Sequence, residues 1–236
     1  MTVTSNQTFT VAPHLQEYNL PFATFRANNP KYTHFIGGGL IFSRGASTPQ
    51  NQTKKDNEIT NGKEDGEKES LRILLIQRAL DDSFPGEWEG PGGLCEESDE
   101  TLLAGVSREV FEETGLHVSH FVELVGKDEW VRVKPASVIS AVKFTFLVEV
   151  HEAVPVSESS DGDGVPADRL DDGGVVPGLK KRWEELVKLD PAEHQAFEWV
   201  GEEEIGREGG RIQPNGRQES TILEGFRILK GGVRSE

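Results

Sequence analysis

The sequence predicts one mixed α/β domain carrying loose insertions, on three observations. Short branched apolar runs alternate with stretches of helical period, the pattern of interleaved strands and helices. Polar low-complexity segments interrupt that pattern twice, and no repeat of any period is present. Hydrophobic residues make up 35% of the 236 and charged residues 28%, so the core is smaller than the length alone would allow.

Met1 to Phe9 has no basic start followed by an apolar run; residues 1–34 read as an N-terminal extension, the domain is expected over 35–229, and a C-terminal tail over 230–236. Gly37-Gly38-Gly39 lacks the helix and lysine of a phosphate loop and reads as the entrance to a strand, Gly39-Leu40-Ile41-Phe42. A second strand covers Leu71 to Ile76. Between them, residues 45–70 are nearly devoid of large apolar groups, cannot offset the entropy of ordering, and read as a floppy loop inside the domain.

Ser98 or Asp99 is expected to cap a helix from Glu100 to Thr114, stopped by Gly115 in the left-handed conformation. Val138 to Val150 reads as a strand. Residues 156–178 form a second insertion, where Asp161-Gly-Asp163-Gly superficially resembles a calcium loop. Val165 stands at its third oxygen position and no glutamate closes it, so it reads as a solvated acidic linker. Lys180 to Val187 is expected as a short helix and Ala196 to Val200 as a strand. Glu219 to Leu229 is expected as a helix with Ile222, Leu223, Phe226 and Leu229 on one side.

Lys and Arg number 25 against 41 Asp and Glu, a net charge of -16 that opposes attraction to nucleic acid or anionic membranes. An anionic small substrate stays compatible, because a bound cation reverses the local field where carboxylates collect. The longest strongly apolar run, around Phe144 to Val150, is far too short to span a bilayer. The single Cys95 fits a reducing compartment and a spectator role, so the expectation is a cytoplasmic protein whose sequons at Asn6 and Asn51 are idle. Oligomeric state stays open.

The chemistry concentrates on the helix from Glu100. At roughly 100° per residue, Leu102, Leu103, Val106 and Val110 define one apolar arc; Glu113 falls inside it, Glu109 beside it and Glu112 further round. An acid run on a helix usually forms a solvated face. Here the acids share the core edge, where they repel and lose solvation unless a cation compensates. Arg108 neutralises part of that charge, and hard cations such as Mg2+ or Mn2+ prefer such oxygen ligands, so the geometry favours metal binding. The turn Trp88-Glu89-Gly90-Pro91-Gly92-Gly93 brings bare backbone to the helix start.

Gly93, then Glu100, then Arg108-Glu109-Val110-Phe111-Glu112-Glu113-Thr114-Gly115-Leu116 resembles the signature box of the Nudix hydrolase superfamily. The second half matches throughout, whereas six residues rather than the family's five separate Gly93 from Glu100, which implies a loop longer by one. Leu71 to Arg78, Pro85 to Gly93 and Phe197-Glu198-Trp199-Val200 with Glu202 to Ile205 also resemble the family, giving coverage from about Phe35 to Leu229. The resemblance implies an α/β/α sandwich with a central mixed sheet. It implies a metal-dependent pyrophosphohydrolase that splits a phosphoanhydride bond in a nucleoside diphosphate linked to another moiety. Glu109, Glu112, Glu113 and the Gly93 carbonyl would hold Mg2+ or Mn2+, with Arg108 positioning the acids and Glu100 supporting the loop.

Glu198 leads as general base, since alternation sets it opposite Phe197 and Trp199, with Glu193 as fallback. Trp130 and Trp183 are aromatic faces for a base, though anchoring roles are the commoner use. The six histidines show no zinc spacing and read as structural. Three alternatives use the same residues: an inactive nucleotide sensor, an isoprenoid diphosphate isomerase acting through Cys95, and an interaction module built on the acidic loops.

Overall fold

The computed structural model describes residues 9–46, 69–81, 84–135, 137–153, 182–214 and 216–232. The segment read as an N-terminal extension enters the core from Phe9 onward. β1 (Thr10–Val11) adds in parallel to a later strand at Thr10↔His120, a 3-10 turn follows at Pro13–Asn19, and α1 (Phe22–Asn28) comes next. Leu15, Phe22, Phe25 and Tyr32 are buried in the main apolar cluster, and Tyr18 and Phe25 set their rings 5.4 and 5.7 Å from Phe144. These elements are too short to display a helical period, so tertiary packing rather than local pattern creates them.

Alternation along the central strands divides the rest into two layers. β2 (His34–Ala46) and β3 (Glu69–Arg78) pair antiparallel, Phe42 facing Ile73 and Ala46 facing Glu69, across the first insertion. Because successive side chains point to opposite faces, Ile41 and Leu74 join one cluster while Leu40, Ile73 and Leu75 join the other. Two short strands, β4 (Trp88–Glu89) on β3 and β5 (Gly92–Leu94) on β2, carry the chain to α2 (Leu102–Thr114). The apolar arc of α2, namely Leu102, Leu103, Val106 and Val110, fills the first cluster as its period requires.

β6 (Val118–Lys134) and β7 (Ser137–Val150) form a long hairpin, and β7 runs parallel to β2. Strand character was expected only from Val138, because Glu123, Lys127, Asp128 and Glu129 mask the alternation of β6. A 3-10 turn, Trp183–Leu186, stands where a short helix was expected. β8 (His194–Gly201) pairs antiparallel with β3, and α3 (Gly216–Leu229) lays Ile222 and Phe226 into the second cluster. The sheet of eight strands runs β1-β6-β7-β2-β3-β4, with β5 on β2 and β8 on β3. With α2 on one face and α3 on the other, this is an α/β/α sandwich around a mixed sheet. Residues 47–68 and 154–181, covering most of the first insertion and all of the second, lie outside the described residues.

Candidate functional site

The start of α2 is fixed by side-chain oxygens. Thr101, rather than Ser98 or Asp99, caps it, its hydroxyl accepting from the Ala104 amide at 3.0 Å, and Gly115 ends it at φ 69°. Asp99 is occupied otherwise. Its carboxylate accepts from the Glu96 amide at 2.7 Å and takes both Nε and Nη2 of Arg108, at 2.9 and 3.0 Å. The same guanidinium donates to Glu109 and Glu112 at 2.8 Å each and to the Leu94 carbonyl at 3.1 Å. Arg108 thus ties the loop, the helix start and two of the acids with one planar fork.

The three acids differ as their angles on the helix predict. Glu113 is 4% exposed, Glu109 is half-buried and the Glu112 side chain is 55% exposed. Glu113 Oε2 accepts from the Gly92 amide at 2.6 Å. Burial pushes the Glu113 carboxyl up to about 8, against that amide and with help from Glu89 and Glu109; burial also raises Glu109, opposed by Arg108. A Cβ on Gly93 would meet Glu109 Oε2 at 2.4 Å, and one on Gly92, whose φ is 150°, would meet the Gly37 carbonyl at 2.2 Å. Bare backbone therefore presses on the acids as the glycine pair suggested.

Glu109, Glu113, Gly92, Gly93, Arg78, Asp81 and Glu193 line a cavity of about 430 Å³. It adjoins a second of about 880 Å³ through Arg78 and Gly92 to Leu94, where Lys143, Arg132, Arg217, Trp130 and Phe84 also stand. An acid pocket thus opens into a cleft with cations and aromatic faces. Behind the acids, Arg78 and Gln218 donate to Glu89 at 2.6 and 3.1 Å. Burial raises the Glu89 carboxyl, but His194, Lys143 and Arg78 together hold it down to about 2. Four carboxylates on one pocket, those of Asp81, Glu109, Glu113 and Glu193, with Arg78 on its wall and Arg108 paired to Glu109, suit a hard divalent cation.

The remaining candidates fall apart into two groups. Glu198 lines neither cavity and pairs with Arg211. Its neighbours Phe197 and Trp199 pack on the cluster that α2 fills, so alternation sends Glu198 to the α3 side, a correction to its place in the cleft. Glu193, in the turn before β8, does line the acid pocket. Trp130 lines the wide cleft, while Trp183 stacks edge-on with Trp199 at 5.1 Å.

Similarity to known proteins follows this geometry. The NUDIX domain profile matches residues 59–218. The chain belongs to the NUDIX domain family. A MutT-like protein of Streptomyces ambofaciens is 51% identical over 51 residues, a stretch covering 22% of this chain and 30% of that relative. The chain therefore spans under a third of that relative's length. Among solved structures, a MutT protein from Methanosarcina mazei is 21% identical, covering 84% of this chain and 95% of its own, at a TM-score of 0.45. The Nudix domain of Shewanella oneidensis NrtR, solved with ADP ribose, is 14% identical, covering 83% and 87%, at 0.46.

The Nudix box of this chain departs from the family pattern at a definite residue. Counted from Gly93, five residues lead to Asp99, not Glu100, and Asp99 is the acid that grips Arg108. The Glu100 side chain is exposed and makes no hydrogen bond or ion pair among the described residues; only its carbonyl is used, by the Phe22 amide at 2.9 Å. The loop-supporting role expected of Glu100 thus falls to Asp99. The extra residue sits between that acid and the helix. Cys95 is buried, and burial with Asp99 and Glu109 pushes its thiol up to about 12, which removes the thiolate an isomerase would need.

Proposed function

We infer that this chain is a divalent-metal-dependent pyrophosphohydrolase that cleaves a phosphoanhydride bond in a nucleoside diphosphate linked to another moiety. The observation that carries it is the convergence of Glu109, Glu113 and Glu193 on one pocket floored by Gly92 and Gly93, which opens into a cleft with Lys143, Arg132 and Trp130. Mg2+ or Mn2+ held by these carboxylates would supply charge neutralisation at the diphosphate.

Glu109 and Glu113 from the pocket wall and Glu112 from its place beside Arg108 would hold the cation, with the Gly93 carbonyl as the backbone ligand, and Arg108 fixes the angle between Glu109 and Glu112. Glu193 takes the place of Glu198 as the carboxylate that accepts a proton from the attacking water, since it stands on the pocket wall. Lys143 and Arg132 meet phosphate oxygens, and Trp130 offers a face on which a base or ribose stacks. The net charge of -16 argues against nucleic acid as substrate or partner.

The test is phosphate or nucleotide release with Mg2+ across dinucleoside polyphosphates, sugar nucleotides, ADP-ribose, dinucleotide coenzymes and nucleoside triphosphates. Metal-dependent turnover of at least one is expected, and Glu112→Gln lowers it by about 10²-fold or more with an unchanged circular dichroism spectrum. Equal rates for variant and parent would remove Glu112 from the site. Gly93→Ala drives a methyl into Glu109 without straining a left-handed backbone, as only Gly92 of the pair has positive φ. Its expected effect is a Mg2+ affinity lower by about tenfold or more in calorimetry, at a parental melting temperature.

A further inference from the structure

We propose that His194 gives an imidazole nitrogen to a cation held together with Glu113 and Glu193, so that the acid pocket takes Mn2+, Co2+ or Zn2+ in preference to Mg2+. This rests on the metal-dependent reading above and adds to it a ligand and a selectivity.

His194 opens β8 and is 2% exposed, and neither ring nitrogen has a hydrogen-bond partner. Buried polar groups are nearly always paired, and two orphaned nitrogens on one ring are a departure that needs a cause. Nε2 stands 3.7 Å from Glu113 Oε1 and 3.8 Å from Glu89 Oε1. A protonated imidazole bridging two carboxylates would draw them to about 2.7–3.2 Å. Both separations exceed that reach.

They suit a shared cation instead. One ligand atom from each of Glu113, Glu193 and His194 lies within 4.8 Å of the other two. A six-coordinate cation with bonds near 2.1 Å sets neighbouring donors about 3 Å apart and opposite donors about 4.2 Å apart, and the His194 to Glu113 separation of 3.7 Å falls between them. Glu113 is ready for the task, because its Oε2 accepts from the Gly92 amide and leaves Oε1 turned to the ring. Arg78 and Gln218 already engage Glu89. Glu193 is exposed, so one of its oxygens can close the third corner while the other faces the attacking water.

Selectivity follows from the donor set. Carboxylates and carbonyls alone suit Mg2+; an imidazole nitrogen adds most for Zn2+ and Co2+, which stand after Mn2+ in the Irving–Williams order, and least for the hard Mg2+.

The test is pulsed electron paramagnetic resonance on the full chain titrated with Mn2+, using protein made with ordinary and with 15N-labelled histidine. The expected spectrum shows a directly bonded nitrogen whose coupling changes with the label; among the described residues, His194 is the histidine grouped with Glu113 and Glu193. His194→Gln should lose that coupling and about tenfold or more of its Mn2+ affinity, with a smaller loss for Mg2+. If Mn2+ binds and supports hydrolysis but no histidine nitrogen couples at any loading, this inference falls and the metal-dependent reading stands. If no Mn2+ binds, with or without a diphosphate, both fall. The nitrogen coupling is read on the parent protein, so a variant that fails to fold leaves the outcome decided.

Discussion

In metal-free protein, Glu113→Gln is expected to raise stability at pH 8 relative to the parent while lowering turnover in Mg2+ by about 10²-fold or more. The sign comes from the buried carboxyl. Burial lifts it from 4.5 to about 8, so between those values the folded chain keeps a proton that the unfolded chain has released. Below pH 4.5 both states are protonated and the group is neutral to stability; above about 8 both are ionised and its full cost is present. The parent therefore loses stability as pH rises through that window, to a ceiling on the order of 4 kcal/mol. Glutamine keeps the acceptor for the Gly92 amide and has nothing to titrate.

Urea unfolding of parent and variant in chelator, at steps from pH 4.5 to 8, reads the difference directly. The gap between the two curves should widen with pH. Adding metal should narrow that gap, since a cation at a hundred times its Kd stabilises the parent by about 2.7 kcal/mol and finds a poorer site in the variant. Parallel curves in chelator would show that the Glu113 carboxylate is solvated, and the argument for a cation on electrostatic grounds would go with it.

The order of burial along α2 is legible in the sequence, because three acids at fixed angles to an apolar arc can be ranked by angle alone. Glu113, inside the arc, is the buried one, and Glu112, furthest round, is the exposed one. What angle cannot supply is which layer a strand faces. Alternation rightly set Glu198 opposite Phe197 and Trp199, yet which side that is depends on the layer packed there, and Phe197 and Trp199 pack on the cluster that α2 also fills. His194 was unreadable for a related reason. Its neighbours Glu89 and Glu113 lie on β4 and α2, far away in sequence, and only the pairing of β8 and β4 with β3 brings them within 4 Å. The N-terminal elements and β6 gave weak local signals, and it is contacts such as Phe25 on Phe144 and the pairing of β6 with β7 that fix them.

Asp99→Asn and Glu100→Gln should part company sharply, although the residues are adjacent and the family spacing counted back from Arg108 points to Glu100. Glu100→Gln is expected to change stability by less than about 0.5 kcal/mol, as for an exposed side chain without partners. Asp99→Asn removes the charge opposite Arg108, which lies two-thirds or more buried beside an Asp99 side chain exposed by only 6%. A loss of about 2–3 kcal/mol follows, because a partly buried guanidinium is left without its bidentate partner. Asp99 is also the foremost cause holding the Arg108 charge fast, its hydrogen bonds raising the guanidinium further above its ordinary value.

Activity should fall with stability in Asp99→Asn, since the freed guanidinium is no longer held in the orientation that meets both Glu109 and Glu112. Arg108→Lys makes the complementary case. It keeps a positive charge near the acids but cannot reach Asp99, Glu109, Glu112 and the Leu94 carbonyl with one rigid fork. A double-mutant cycle between positions 99 and 108, read by urea unfolding and by kcat at saturating Mg2+, should give a coupling of about 1–3 kcal/mol. The two readouts should agree in sign, because the same clamp that stabilises the helix start also sets the spacing of the acids. A coupling near zero in both, or a loss in Glu100→Gln as large as that in Asp99→Asn, would return the clamp to Glu100 and leave the extra residue of the loop without a structural account.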